Sequence, residues 1–576
     1  MKAKNYLSII FASLLTVSCV DTILLPDNKT VDEDFWKSKS DVSLMVNGAY
    51  NGMLSEDVIA RLIIWGDFRS DELVAEASLS GSIPNALTEI SAANIQVTNM
   101  YSSWSSIYSV INRCNIVLER AEEVMSIDPS YTEGDYAADR SQMLALRALC
   151  YFYLVRNFRD VPYTTVAHMN SSQELNIPQA APDSVLQCCI DDLTKAETGA
   201  INPAGYNDWR RVGYLTRDGI HALLADIYLW RASVKHSAED YRKCVEYCDM
   251  VIESKKNQHV VGAMQVEEKE YPLADGTDMF NQLFVQQNAE ESIFELQFNG
   301  ENNSNSGVGK YYYKYANNNS TQPFLKASYL FGTATANTVF STNSGGENDY
   351  RFWSSIYDVK STDESFAIRK MTHNQSNIGL ASTQQRRNYN ARDLDQFRQN
   401  YIIYRLSDIM LLKAEALTAL AADKDDVQLR EAFNLVRYVN ARSRKDMSDT
   451  LHWNTYSNID AMERLVLDER LRELCFEGKR WYDLMRYNFR KTEEGKIDYS
   501  RTFYQQGLDA SSYAKNSSDM MNLMIRKYTS GASSVAAKMP TEPYLYMPIP
   551  NSDVEVSPVL HQNPAYSTNE QYEKNY

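Results

Sequence analysis

The stretch Arg464–Tyr487, RLVLDERLRELCFEGKRWYDLMRY, decides the fold of this chain, because it sets two amphipathic helical segments end to end. The apolar residues of the first segment gather on one side of a helix: Leu465, Val466, Leu471, Leu474 and Cys475. Gly478 is well placed as the left-handed residue that ends this helix. The second segment, Trp481–Tyr487, follows at once. The stretch therefore predicts two helices joined at Gly478.

The charged residues of this stretch have a spacing that allows them to form a partly buried ion-pair network: Arg472, Glu473, Glu477, Arg480 and Asp483. A partner removed from such a network would leave an uncompensated charge. We therefore assign the stretch a structural role rather than a ligand-binding one, and we place Trp481 in the core. Tryptophans at helical spacings elsewhere are assigned to the core in the same way: Trp36, Trp104 and Trp230.

Outward from this stretch, helical periodicity recurs in pairs of segments. The predicted pairs lie within about 101–254 and 404–487: 101–118 with 143–155, 183–197, 216–232, 241–254, and 404–420 with 427–442. Antiparallel helix pairs of this size, recurring along a chain, are typical of tetratricopeptide-like arrays. We predict a mainly α protein built on a tetratricopeptide-like helix-pair scaffold.

A different kind of sequence separates the helical groups. Residues 258–400 are rich in Asn, Ser, Gly and Gln and lose the helical period, and residues 501–576 are irregular as well. Within the first region, Glu291–Phe298 alternates as a strand does. The helical scaffold therefore carries a large loop-rich portion with short strands.

Several motifs resemble the SusD/RagB family, glycan-capturing outer-membrane lipoproteins of Bacteroidota. The motifs are Arg472-Glu473-Leu474-x-x-Glu477-Gly478-x-Arg480-Trp481-x-Asp483-Leu484-x-Arg486, Thr30-x-x-Glu33-x-Phe35-Trp36 with Asn47-Gly48-Ala49-Tyr50, Pro548-Ile549-Pro550, and Gln562-Asn563-Pro564. The resemblance implies a single SusD-like domain over 30–576, with a glycan-facing part at about 258–400. It also implies a non-catalytic protein that captures oligosaccharide for a partner SusC-like TonB-dependent transporter.

The amino terminus predicts export and lipidation. Lys2 and Lys4 precede an apolar run, Tyr6–Val17, which is too short to span a bilayer and suits a signal peptide over residues 1–18. The run ends in Leu15-Thr16-Val17-Ser18-Cys19, which looks like a lipobox whose cysteine receives the lipid. Residues 19–29 would then be a tether that anchors a soluble body to a membrane. The resemblance implies that this is the outer membrane and that the body faces the extracellular side.

Composition excludes other classes of protein. A net charge of -17 and a pI near 5.0 argue against nucleic-acid binding, because phosphate contacts need concentrated Lys and Arg. The His residues are scattered singly and no Cys pair has zinc-site spacing, so we expect neither a metal nor a cofactor. Most cysteines are expected to be buried small hydrophobes.

Aromatic residues outside helical periodicity are the glycan-binding candidates, because sugars stack on exposed rings beside polar side chains. One group is Trp65, Asp67 and Arg69; the other is Tyr311, Tyr312, Tyr313 and Tyr315, amid Asn302 and Asn303. Burial is the competing interpretation for both groups. Trp65 would then lie inside a turn, and the tyrosines would form a strand whose alternate side chains pack inward.

Two other functions stay open on the sequence. A glycoside hydrolase would need two carboxylates facing each other across a cleft, and the many adjacent acidic pairs include Asp71-Glu72, Glu290-Glu291 and Asp468-Glu469. A helical-repeat adaptor would bind protein only, with its loop aromatics buried. Binding to a glycan panel with product analysis separates the three.

Overall fold

The structure is a computed structural model of the chain. It describes residues 35–169, 173, 176–262, 271–313, 322–331, 339–340, 348–357, 365–374, 392, 397–445, 451–507 and 509–567. The predicted signal peptide, Cys19, the tether and the Thr30-Glu33 motif lie outside these residues, as does Tyr315. None of the helices in the described part is long and apolar enough to cross a membrane.

Helices dominate the described chain. They are α1 Lys39–Met53, α2 Glu56–Ile63, α3 Ser82–Ser91, α4 Ser105–Ile127, α5 Glu133–Phe158, α6 Pro182–Glu197, α7 Arg210–Gly213, α8 Arg217–Lys235, α9 Ala238–Gly262, α10 Ser306–Tyr312, α11 Tyr350–Ser355, α12 Leu406–Leu420, α13 Val427–Arg442, α14 Ile459–Leu474, α15 Arg480–Lys491, α16 Phe503–Gln506, α17 Ser518–Met524, α18 Ala532–Ala537 and α19 Asn551–Val556. The mainly helical prediction is confirmed.

The long helices pack as the predicted pairs. Helix α4 packs on α5, α5 on α6, α8 on α9, and α12 on both α13 and α14, and α9 joins the two groups by packing on α12. Helix α5 is buried continuously from Ser141 to Phe158, as its apolar sequence predicts for a helix inside the array. The tryptophans assigned to the core at positions 36, 104, 230 and 481 are all buried.

Short strands decorate this scaffold: β1 Leu73–Ala75, β2 Val161–Pro162, β3 Gln179–Ala180, β4 Ser292–Leu296, β5 Leu325–Ser328, β6 Ile356–Tyr357, β7 Ser365–Ile368 and β8 Tyr401–Arg405. One sheet has the order β1-β5-β7-β6, and β2-β3 and β4-β8 form antiparallel pairs. The strand predicted at Glu291–Phe298 is therefore present as β4. Its partner β8 ends with Tyr404 and Arg405. The helical pattern assigns these two residues to the start of α12, which instead begins at Leu406.

The first helix ends at Leu474, four residues before the predicted Gly478, and the segment that follows it joins the two halves of the sequence. Gly478 has a φ of +75°, and the π-helical turn Ile64–Phe68 lies directly against it. A Cβ on Gly66 would lie only 2.2 Å from the main-chain oxygen of Gly478, so the two backbones touch. Asp67 accepts hydrogen bonds from the N–H groups of Gly478 at 2.8 Å and Lys479 at 3.1 Å.

The predicted ion-pair network exists, but its partners come from across the fold. Glu473 receives the guanidinium groups of Arg351 at 2.9 Å, of Arg405 at 2.5 Å and of Arg442. Burial acts to raise the pKa of Glu473, yet these three cations outweigh it and hold the pKa well below its usual value. The network thus holds strand β8 and helices α11, α13 and α14 around one carboxylate.

Candidate functional site

The predicted aromatic candidates that the structure describes, Trp65, Tyr311, Tyr312 and Tyr313, are buried, so the expectation that they offer exposed rings is wrong. Trp65 is 0 % exposed and donates its Nε1–H to the main-chain oxygen of Tyr101 at 2.9 Å. Its turn continues α2 as a π-helix, which directs the ring into the core. The competing interpretation, a turn with Trp65 inside, is the one that the structure supports.

Asp67 and Arg69 are buried beside Trp65. Asp67 receives the main-chain N–H groups of Gly478 and Lys479, and burial raises its pKa to about 7. Arg69 donates to the main-chain oxygen of Leu545 at 2.7 Å and stacks on Trp481, 4.4 Å from the ring centroid. Burial lowers the pKa of Arg69 to about 10. Both side chains therefore hold loops together rather than face solvent.

The tyrosine run is also internal. It forms the end of α10 instead of a strand, and Tyr311, Tyr312 and Tyr313 are buried at 2 %, 0 % and 4 % exposure. The Tyr311 and Tyr101 hydroxyls are 2.5 Å apart, and the Tyr312 hydroxyl donates to Asp67 at 3.2 Å. These rings pack α10 onto the turn at Ile64–Phe68.

An open groove lies elsewhere, between α1, the α7 segment and the end of β4. Its volume is about 670 Å³, and it is lined by Leu44, Asn47, Gly48, Tyr50, Asn51, Leu54, Trp209, Gly213, Tyr214, Asn288, Leu296, Gln297, Phe298, Asn299 and Asn303. A smaller cleft of about 360 Å³ has charged walls whose side chains pair with one another, such as Arg490 with Glu463. We take the groove as the candidate site.

Helix α1 supplies one wall. Ser38 and Asp41 form a capping box that starts the helix, and its buried face includes Val42, Val46 and Met53. The opposite face carries the groove residues at helical spacing: Leu44, Asn47, Gly48 and Asn51. Leu44 is 61 % exposed, which is unusual for so large an apolar side chain on a wall that also carries amides.

A cluster of rings forms the facing wall. Trp209 is 45 % exposed, and its ring lies 5.4 Å from that of Tyr214 at 68°. Tyr214 is in turn 5.2 Å from Tyr50 and 6.2 Å from Tyr206. Gly213 makes the close approach possible, because a Cβ there would lie 2.6 Å from the Trp209 ring. The groove thus offers one open indole supported by tyrosines behind it.

Amide side chains form the floor and the far rim. Gln297 donates to Asn288 Oδ1 at 2.8 Å, and the buried Asn400 donates to Gln297 Oε1 at 3.2 Å and to Glu295 at 2.8 Å. Burial raises the pKa of Glu295 beneath this floor. The hydrogen bonds fix the orientation of the floor amides before any ligand arrives.

Of the predicted residues, the groove includes only the asparagine loop. Asn303 lines it, and its Oδ1 accepts from the Asn299 N–H at 2.8 Å. Asn302 is exposed next to the groove and donates its main-chain N–H to Asn299 Oδ1 at 3.0 Å. The predicted asparagines therefore lie at or beside the groove, whereas the predicted rings that the structure describes lie in the core.

The sequence analysis missed Tyr206, Trp209 and Tyr214. They follow Asn202-Pro203-Ala204-Gly205, a run of turn-forming residues between two helices. The criterion that selected Trp65, an aromatic residue outside helical periodicity, also selects Trp209. Applied along the whole chain, it would have found the open indole.

One member of each acidic pair considered for hydrolysis is held in a buried ion pair. Asp71 pairs with Arg480 at 2.8 Å, Glu291 with Arg405 at 2.9 Å and Glu469 with Arg351 at 2.8 Å, and all are buried. None of them lines the groove. Within the described residues, no group of His, Cys, Asp and Glu side chains is arranged to hold a metal ion.

Comparison with known proteins adds two family models. The model described as the SusD family matches residues 290–566, and the model described as "Starch-binding associating with outer membrane" matches residues 25–229. Both segments that wall the groove, α1 with the α7 region and β4 with the loop after it, fall within these matches.

Curated relatives and solved structures agree with these models. SusD-like protein P38 of Formosa agariphila is 25% identical, over 85% of this chain and 92% of its own length. SusD-like protein P2 of the same organism is 24% identical, over 84% and 90%. A SusD homolog from Bacteroides thetaiotaomicron has the same fold, with a TM-score of 0.67 at 18% identity over 93% of this chain and 99% of its own. A laminarin binding SusD-like protein has a TM-score of 0.61 at 18% identity, over 92% and 100%.

Proposed function

The chain belongs to the SusD family, and from that premise we propose that it is a cell-surface lipoprotein that binds oligosaccharide and passes it to a SusC-like TonB-dependent transporter. The proposal rests on the groove, which combines an open indole with a row of oriented amides. Aromatic planes beside hydrogen-bonding side chains suit the apolar faces and hydroxyl rims of sugars. The name of one matched family supports starch-like ligands and an outer-membrane location.

Capture would start at Trp209. A pyranose ring stacks on the exposed indole, while the amides of α1 and of the β4 rim exchange water for sugar hydroxyls. Because each such exchange brings little net free energy, we expect affinity to come from several sugar units together. We propose that the protein binds and releases its ligand without cleaving it, because one carboxylate of each acidic pair, Asp71, Glu291 or Glu469, is held in a buried ion pair.

The rest of the fold suits delivery. Paired helices form a rigid body, and the groove lies where irregular segments meet one end of α1. We propose that Cys19 carries the lipid that keeps this body at the outer membrane, and that the helical scaffold docks on the transporter. Variable loops around the groove would then set ligand choice.

Binding to a glycan panel, followed by product analysis, tests the proposal. We expect at least one polysaccharide to retard the protein in affinity electrophoresis and to be recovered at its original length after overnight incubation. Cleavage of the glycan would favour a hydrolase instead. Failure to bind any glycan, with protein partners captured through the Trp209 groove, would favour an adaptor.

Purification from the native membrane tests the partner. The lipidated protein should copurify with a TonB-dependent transporter, and Cys19→Ala should abolish labelling by a fatty-acid analogue while leaving glycan binding unchanged. Lipid labelling that persists in the Cys19→Ala variant would show that Cys19 does not carry the lipid.

A further inference from the structure

Among the residues that the structure describes, none that lines the groove of the proposed function has a charged side chain. The lining consists of aliphatic and aromatic residues, glycines and six amides: Asn47, Asn51, Asn288, Gln297, Asn299 and Asn303. Arg and Lys side chains give sulfate and carboxylate groups their strongest, charge-assisted hydrogen bonds, and the described lining has neither. The composition of the lining is therefore informative about ligand charge.

Three of the six groove amides accept hydrogen bonds from the protein through their side-chain oxygens. Asn47 Oδ1 accepts from the Tyr214 hydroxyl at 3.1 Å, Asn288 Oδ1 from Gln297 at 2.8 Å, and Asn299 Oδ1 from the Asn302 N–H at 3.0 Å. Within the described part of the chain, no acceptor is found for the Nδ2 groups of these three residues. Neutral donors of this kind match hydroxyl, ring and glycosidic oxygens.

Three arginines lie next to groove residues without lining the groove. Arg210 forms an ion pair with Asp208 at 2.8 Å, Arg211 donates to the main-chain oxygen of Asn288 at 2.9 Å, and Arg113 donates to that of Gly48 at 2.9 Å. Each guanidinium therefore has an oxygen partner in the protein. The net charge of -17 adds a long-range field that opposes anions.

From these observations we infer that the groove selects uncharged glycans, polymers of neutral sugars, and rejects sulfated or carboxylated ones. The inference rests on the proposed function and adds the class of ligand. It assigns discrimination to the lack of a cation in the lining, not to a clash, so placing one cation there should change the preference.

Matched polysaccharides test the inference. A panel of neutral polysaccharides, laminarin among them, is offered to the intact protein together with the sulfated or carboxymethylated derivative of each same backbone. We expect the neutral form that binds to do so at least tenfold more tightly than its derivative, at the same ionic strength. Equal or tighter binding of the anionic form overturns the inference. Binding of neither form by any backbone overturns the proposed function itself.

A charge placed in the groove provides the reciprocal test. Asn51 is exposed on α1 and lines the groove, so Asn51→Lys should raise affinity for the sulfated derivative at least fivefold with little effect on folding. Asn454→Lys makes the same change of net charge at an exposed position away from the groove and should leave the ratio unchanged. An equal response to both variants would assign the selectivity to net charge alone and overturn the role of the groove.

Discussion

Asp71 and Arg480 form a buried ion pair across 409 positions of sequence, with Arg480 Nε 2.8 Å from Asp71 Oδ1. Arg526 is the second cationic partner of Asp71. Burial acts to raise the pKa of Asp71, but the two cations outweigh it and hold the pKa well below its usual value. The pair connects the turn after α2 with the start of α15, and so closes the fold on itself.

Asp71→Asn should lower the free energy of unfolding by about 3–5 kcal/mol, because it leaves Arg480 buried without its charge partner. Urea denaturation followed by circular dichroism measures the change. Glu246→Gln removes one partner of an exposed pair with Lys243 and should cost less than about 0.5 kcal/mol. Similar losses of unfolding free energy in both variants would contradict the larger contribution that we expect from the buried pair.

Glu72→Gln should stabilise the protein at alkaline pH. Glu72 lies beside Asp67, and burial, followed by the charge of Asp67, raises its pKa well above the usual value. Burial also raises the pKa of Asp67 from 3.8 to about 7. The folded state therefore holds these protons more tightly than the unfolded state, and stability is lost as pH rises through about 7.

Glutamine keeps the shape of Glu72 and removes its charge. We expect the Gln variant to match the native protein at pH ~5 and to exceed it by about 1–2 kcal/mol at pH ~8.5, as measured by urea denaturation. Glu76→Gln, which removes the partner of Lys326 in the same region, should shift stability by a similar amount at both pH values. A pH-independent effect of Glu72→Gln would refute the coupling to Asp67.

Gly66→Ala should prevent stable folding or cost more than about 3 kcal/mol. The new Cβ would lie 2.2 Å from the oxygen and 2.5 Å from the carbonyl carbon of Gly478, and neither backbone can move aside. Gly48→Ala is the matched change in a helix with nothing within 4 Å of its Cβ, and it should gain up to about 1 kcal/mol. Soluble expression and the midpoint of thermal unfolding distinguish the two variants.

Trp209→Ala should weaken glycan binding at least tenfold, about 1.4 kcal/mol, because it removes the ring on which the sugar is proposed to stack. The midpoint of thermal unfolding should stay within a few degrees of native, because the indole is 45 % exposed. Tyr504→Ala removes another exposed ring, 37 % exposed and stacked on His561, and should leave binding unchanged. Isothermal titration with the glycan selected from the panel measures both. Unchanged affinity in Trp209→Ala would remove the groove as the site.

The helical scaffold was predictable because its signal is local and repeated. Val427–Arg442 has the predicted bounds, and Gly478 has the predicted left-handed conformation. The ion-pair network was predicted from Arg472–Asp483, but its partners were not, since Arg405 and Arg351 reach Glu473 only through the tertiary fold. Periodicity predicts a helix, but it does not predict which charged residue, distant in sequence, will form an ion pair with that helix.

The site was less predictable, because burial of an isolated aromatic residue depends on its neighbours in space. Trp65 and Tyr312 lack helical periodicity and are buried all the same, the first by a π-helical turn and the second by its contact with Asp67. Trp209 has the same local signal and stays open, with 45 % of its surface exposed. The sequence pattern of the three residues does not separate these outcomes.

The contact between Gly66 and Gly478 also restricts how the protein can move. Two main chains that touch without an intervening side chain, flanked by buried salt bridges, leave no clearance for a pivot at the centre of the molecule. In the complex with a transporter that we propose, we expect the protein to move as an undeformed block. Bending would then occur at the contact between the two proteins.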